Sequence, residues 1–105
     1  MFAALDVYDR AHPRFEDPDS IRLFVPGAIR AIGLHAHGPL RIARCGGGWS
    51  ATQLTETGWV TVHADSRARR CVIDVFSCRY FDPEVVAAVA AEHFGGRRTL
   101  RVRRR

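Results

Sequence analysis

Between Pro39 and Cys78 the chain carries four short segments of strand-like character, separated only by turn residues, with no helical pattern among them. Strands that follow one another this closely pair antiparallel, because a parallel pair needs a crossover of a dozen or more residues. The segments are Pro39 to Cys45, Trp49 to Glu56, Trp59 to Ala64 and Arg70 to Cys78, with hairpin breaks read at Gly46-Gly47-Gly48 and at the Gly58 step. Helical patterns flank the run. Ser20 to Ile32 is amphipathic, with Ser20 as candidate N-cap, a kink or a split into two short helices at Pro26-Gly27, and Gly33 as a stop. Asp82 to Phe94 starts with Asp-Pro-Glu and continues in good helix formers, offering Val85, Val86, Val89 and Phe94 to one buried face before Gly95-Gly96. A first strand over Phe2 to Asp9, a turn-rich stretch with Pro13, Asp17 and Pro18, and a short edge strand over Thr99 to Val102 complete the pattern.

Strand, helix, four strands, helix, strand predicts an α+β two-layer sandwich, an antiparallel β-sheet with two helices on one face. With 105 residues, 47% of them hydrophobic, residues 1–105 make a single domain that needs neither disulfide nor metal, and no internal repeat is read. Cys45, Cys71 and Cys78 are odd in number and lack a CxxC pairing, which predicts reduced thiols. His35 and His37 form an HxH pair, but no third ligand is spaced to complete a zinc site, so a solvated loop and no metal are expected. The start lacks the basic flank and apolar run of a signal peptide, and no segment has the length of a membrane span. A cytoplasmic protein with no membrane partner is the expectation. The 16 basic residues are all arginine, and the net charge of +5 favours anionic partners without selecting one. The run Arg97 to Arg105 can contact phosphates, yet no nucleic-acid-binding motif accompanies it, and nucleic acid is not the expected partner.

Three segments carry a resemblance: Ile73-Asp74-Val75-Phe76-Ser77-Cys78, Val60-Thr61-Val62-His63, and the region of Ser50. On these the chain resembles the small prokaryotic type of S-adenosylmethionine decarboxylase, and Leu5-Asp6-Val7-Tyr8 with Asp82-Pro83-Glu84 extends the likeness over most of the chain. That family cuts its own chain at a Glu-Ser bond and converts the serine into a pyruvoyl group, the electron sink for decarboxylation. Ser50, His63 and Cys78 fall at the family's spacing without a gap. The resemblance implies that Ser50 assists processing, that His63 matches the processing base, and that Cys78 matches the general acid that protonates the product. On this register the pyruvoyl-forming serine becomes Gly58 and its preceding glutamate becomes Thr57. Glycine has no side-chain oxygen for the N-to-O acyl shift, so no pyruvoyl cofactor is expected. A second register sets Glu56-Thr57 against the family's Glu-Ser, with one extra residue before His63 taken up as a β-bulge, and implies an active decarboxylase processed through the Thr57 hydroxyl. After His63 the family's Thr-Trp-Pro-Glu is replaced by Ala64-Asp65-Ser66-Arg67. Arg67 stands where an acid holds the ribose hydroxyls, Asp65 is a candidate substitute, and Trp59 a candidate stacking surface.

The resemblance therefore implies a homodimer with sites near the subunit interface and without pyruvoyl-dependent decarboxylation. The leading reading is an enzyme of lyase or isomerase type, serving a biosynthesis, that performs cofactor-free acid-base chemistry on a small-molecule ligand with His63 and Cys78; cyclisation, isomerisation and elimination are the candidate reactions. The alternative is a non-catalytic regulatory or ligand-binding subunit of an active decarboxylase paralogue. Blander roles remain open for each residue: a hydrogen-bonded strand histidine at 63, a small buried hydrophobe at Cys78, an ordinary strand serine at Ser50. The Gly58 register predicts one uncut chain by intact mass. Two fragments meeting at Glu56 and Thr57, the second bearing a carbonyl, would restore the decarboxylase reading.

Overall fold

The elements form in the order β1 (Phe2–Tyr8), α1 (Pro18–Ala31), β2 (Arg41–Cys45), β3 (Gly48–Leu54), β4 (Gly58–Asp65), β5 (Arg70–Ser77), α2 (Pro83–Phe94) and β6 (Arg97–Arg103). A computed structural model of the chain describes residues 1–8, 17–65, 67–95 and 97–103, the side chains of Arg97 and Arg98 excepted. The expectations placed on Asp9, Pro13, Ser66, Gly96, Arg104 and Arg105 lie outside the described residues. The strands pair antiparallel throughout, as one six-stranded sheet in the order β2-β3-β4-β5-β1-β6. This is the α+β architecture that the pattern predicts.

Alternation decides which side is buried. Leu5, Ala51, Val62 and Ile73 are linked through cross-strand pairs and share one face with their neighbours two residues away. There they pack with Ile21, Phe24, Val25, Ala28 and Ile29 of α1 and with Val86, Ala87, Ala90 and Phe94 of α2. Phe24 meets the Phe94 ring at 5.0 Å between centroids. Fully burying one such side chain contributes about 1.5–3 kcal/mol.

Both helices start with the same device. Asp17 and Asp82 are the N-caps, accepting from the amides of Asp19 and Glu84, and Pro18 and Pro83 follow at the first helical position. Ser20 is therefore not the cap. It lies in the first turn, and its hydroxyl bonds the His93 Nε2 of α2 at 2.7 Å, tying the helices together. Nor is α1 split at Pro26. The bond that Pro26 cannot donate would go to the Arg22 carbonyl, and both residues lie on the exposed side, where water reaches that oxygen.

Three other expectations change. Gly58 opens β4 instead of breaking the hairpin; the turn falls at Thr55–Thr57, with Ala36 bridged to Thr55 and the Glu56 amide donating to the His35 carbonyl. β6 is longer than Thr99 to Val102 because β1 offers a partner to each of its seven residues. An internal repeat also emerges: Leu5-Asp6-Val7-Tyr8 and Ile73-Asp74-Val75-Phe76 sit side by side with Leu5 paired to Ile73, and each strand leads to an Asp-Pro helix start. The local two-fold axis of that strand pair superposes like residues, Asp6 on Asp74 among them.

Cys71 lies in the core, where desolvation first and the Asp6 charge second push its thiol up to about 12, whereas Cys45 and Cys78 are exposed. A thiol reagent at neutral pH is expected to label Cys45 and Cys78 in the native protein and Cys71 only on unfolding. Rapid modification of all three would show that the core is open. Since the folded pKa of Cys71 lies above its unfolded value, its linkage lowers stability as pH rises from roughly 8.5 toward 12.

Candidate functional site

The sheet face away from the helices carries the chemistry. Ser50 of β3 and His63 of β4 are directly opposed there, and the Ser50 hydroxyl lies 2.8 Å from His63 Nδ1. His63 Nε2 has no hydrogen-bond partner among the described residues, and the side chain is exposed. When Nδ1–H donates to Ser50, the imidazole lone pair sits on Nε2 and faces outward, the form a general base requires. The opposite tautomer makes Ser50 the donor and leaves an N–H to give away.

Next to this pair are two carboxylates that the sequence reading did not single out. Asp6, although on the uncovered face, is only 5% exposed, because Arg70 and Arg101 bond its two oxygens at 2.9 and 3.2 Å. Asp74 faces Thr61 on β4 and Ala4 on β1. Burial raises its carboxyl above the ordinary range, while the charge of His63, that of Arg101 and a hydrogen bond with Thr61 pull the other way. A signal was present: a charged residue inside an apolar strand run, at the parity of the uncovered face, marks both positions.

Further along, Trp59 stacks on Phe76 at 5.7 Å and meets Phe2 edge-on at 6.1 Å. Cys78 follows the end of β5, where its amide donates to the Thr57 carbonyl at 2.9 Å. It is exposed, which removes its reading as a buried hydrophobe. However, His63 pairs with Val72, and Cys78 lies on the order of 20 Å further along that strand at ~3.3 Å per residue. One chain therefore joins Ser50 to His63 and leaves Cys78 apart; adjacent strands bring side chains together only at matching levels.

The remaining expected residues separate as well. Asp65 Oδ1 accepts from the amides of Arg67 at 2.9 Å and Ala68 at 3.2 Å, so it caps the β4–β5 turn. Arg67 is exposed in the same turn, whereas Trp59 sits at the far end of β4. At Glu56-Thr57, where the family resemblance sets the cleavage bond, Glu56 is exposed and Thr57 Oγ1 lies 2.7 Å from Ser77 Oγ, which also accepts from the Arg79 amide. A Cβ on Gly58 would fall 1.9 Å from the Phe76 carbonyl oxygen and 2.9 Å from Ser77 Cα. The intact backbone therefore leaves no space for a side chain at residue 58. Among the described residues no group of three or more histidine, cysteine, aspartate or glutamate side chains is placed to hold a metal, and no helix is long and apolar enough to cross a membrane.

Comparison with known proteins agrees with this fold. A family model described as S-adenosylmethionine decarboxylase matches residues 2–105. The crystal structure of the adenosylmethionine decarboxylase of Aquifex aeolicus is similar with a TM-score of 0.78 at 14% sequence identity, covering 95% of this chain and 84% of that one. At that identity the structural likeness is one of fold. No curated protein sequence matches.

Restoring a side chain at position 58 tests the close approach. Gly58→Ala and Gly58→Ser are each expected to destabilise the fold by about 2–3 kcal/mol, lowering Tm by roughly 10 °C or more in thermal melts. Variants that melt with the parent would show that the two strand ends part without penalty.

Proposed function

Because the chain belongs to the S-adenosylmethionine decarboxylase family, we propose that it is a member that has left pyruvoyl-dependent decarboxylation and performs cofactor-free acid-base chemistry on a small molecule. One contrast carries this reading: the Ser50–His63 hydrogen bond is intact on the uncovered face, while Gly58 has neither a hydroxyl nor room for one. The reaction type is that of a lyase or isomerase, and the location cytoplasmic.

In this reading His63 Nε2 takes a proton from the substrate while Nδ1–H remains on Ser50. The imidazolium so formed gains from Asp74, whose carboxylate interacts with His63 through space. A second proton-transfer group belongs to Cys78, which one chain cannot bring to His63. A homodimer packed through the uncovered faces supplies it, with Cys78 of the partner subunit reaching the His63 end and the aromatic row of Phe2, Trp59 and Phe76 forming the apolar part of the contact. An active decarboxylase paralogue is the competing occupant of that face.

His63→Ala and Cys78→Ala are each expected to abolish turnover of a substrate found by metabolite screening, with the fold of the single subunit intact because neither side chain belongs to its core. Mixing the two variants as subunits should return about a quarter of parental activity, since half the dimers would carry one intact shared site. Loss of stability in both variants, with activity falling only in proportion to folded protein, would sink the catalytic reading. Carbon dioxide release from S-adenosylmethionine would overturn the loss of decarboxylation.

A further inference from the structure

On the uncovered face one cross-strand row runs from Thr61 through Asp74 and Ala4 to Arg101. The next row holds Ser50, His63, Val72 and Asp6. Asp74 is therefore a diagonal neighbour of His63 across β4 and β5, about 7–8 Å between positions and within reach of long side chains. Asp6 is in the same way the diagonal neighbour of Arg101 across β1 and β6. Asp74 lies two strands from Arg101, about 10 Å at roughly 4.8 Å per strand, and the residue between them is Ala4, which offers only a methyl group. One guanidinium thus has two carboxylates in its range.

It is bonded to the nearer one. Arg101 donates to Asp6 Oδ2 at 3.2 Å, while its side chain stays 72% exposed and so has room to turn. Arg70 already holds the other oxygen of Asp6, donating to Oδ1 from Nε at 3.3 Å and from Nη2 at 2.9 Å, so Asp6 has a counter-charge without Arg101. Asp74 is in the opposite position: among the described residues no arginine bonds it. Burial lifts its carboxyl above the ordinary range, the charge of His63 pulls it down, that of Asp6 pushes it up, and Arg101 and the Thr61 hydrogen bond pull it down. A half-buried carboxylate of this kind is a ready acceptor for a guanidinium that comes free beside it.

The consequence falls on His63. A guanidinium bonded to Asp74 would neutralise the carboxylate that favours the imidazolium, whereas one held on Asp6 acts on Asp74 only through space. We propose that Asp6 is a positioning residue for the His63 site: by holding Arg101 it keeps the guanidinium off Asp74 and leaves that carboxylate to His63. The inference rests on the reading of His63 as the catalytic base and names the residues that set the charge around it.

The test follows the Asp74 side-chain carbonyl by NMR through an acid titration of the labelled protein, with Asp6 and Arg101 altered singly and together. In the parent, His63→Gln should raise the Asp74 midpoint, because a neighbouring cation is removed, and Arg101→Gln should raise it only slightly. Asp6→Asn keeps an oxygen for Arg70 and releases Arg101. In that background Arg101→Gln should raise the Asp74 midpoint by about one unit or more, the usual effect of losing a direct charge partner, and His63→Gln should move it less than in the parent. Arg41→Gln, three strands from Asp74 in the same row, should leave the midpoint where it is in both backgrounds. An equal effect of Arg101→Gln in the two backgrounds, or one that Arg41→Gln reproduces, would overturn the positioning role. So would a parental midpoint that His63→Gln does not move, an arm that needs no change at Asp6 and therefore decides even where Asp6→Asn does not fold. No turnover is read, so failure here is distinct from inactivity of the His63 site.

Discussion

At Gly58 the chain passes so close to the Phe76 carbonyl that the space of a Cβ is already filled by backbone. The surroundings hold it there from both sides. The Thr55 amide donates to the Gly58 carbonyl, the Cys78 amide donates to the Thr57 carbonyl, and the hydroxyls of Thr57 and Ser77 meet at 2.7 Å. Gly58 and Ser77 form the first residue pair of β4 and β5. Their polar groups are satisfied by strand pairing, and strand pairing needs no reactive side chain.

The uncovered face has a related logic. Two strands of the same pattern place like carboxylates on either side of the Leu5–Ile73 pair, and their surroundings make them unlike. Two arginines enclose Asp6, which makes it part of the scaffold, whereas Asp74 meets, among the described residues, a threonine hydroxyl and the field of His63, Asp6 and Arg101. Similar local sequence thus yields one structural ion cluster and one carboxyl of raised pKa. The difference comes from Arg70 of β5 and Arg101 of β6, which reach Asp6, whereas β4 presents Thr61 to Asp74.

Much of the fold was legible because alternation and Asp-Pro helix starts are local signals. The strands read as Pro39 to Cys45 and Arg70 to Cys78 form as Arg41–Cys45 and Arg70–Ser77. Misreadings arose where a long-range partner decides: Ser20 looked like a cap until His93 on the other helix claimed its hydroxyl, and Gly58 looked like a turn until Phe76 claimed its space. Ser50 and His63 were singled out through the family resemblance, and strand pairing brings them together. The distance of Cys78 was not legible, because level along a strand depends on register. The same holds for the arginine clasp on Asp6, which joins residues from three strands.

The position of β1 bears on how the chain comes to be folded. It is the first strand made, yet it lies between β5 and β6, which are among the last elements synthesised. Until they emerge, an apolar strand waits with both edges unpaired, the condition in which nascent chains associate wrongly. Asp6 in the middle of that strand acts as a gatekeeper: a carboxylate without its arginines resists burial in any foreign sheet. Only the native arrangement delivers Arg70 on one side and Arg101 on the other, so the same charge that delays premature pairing rewards the correct one.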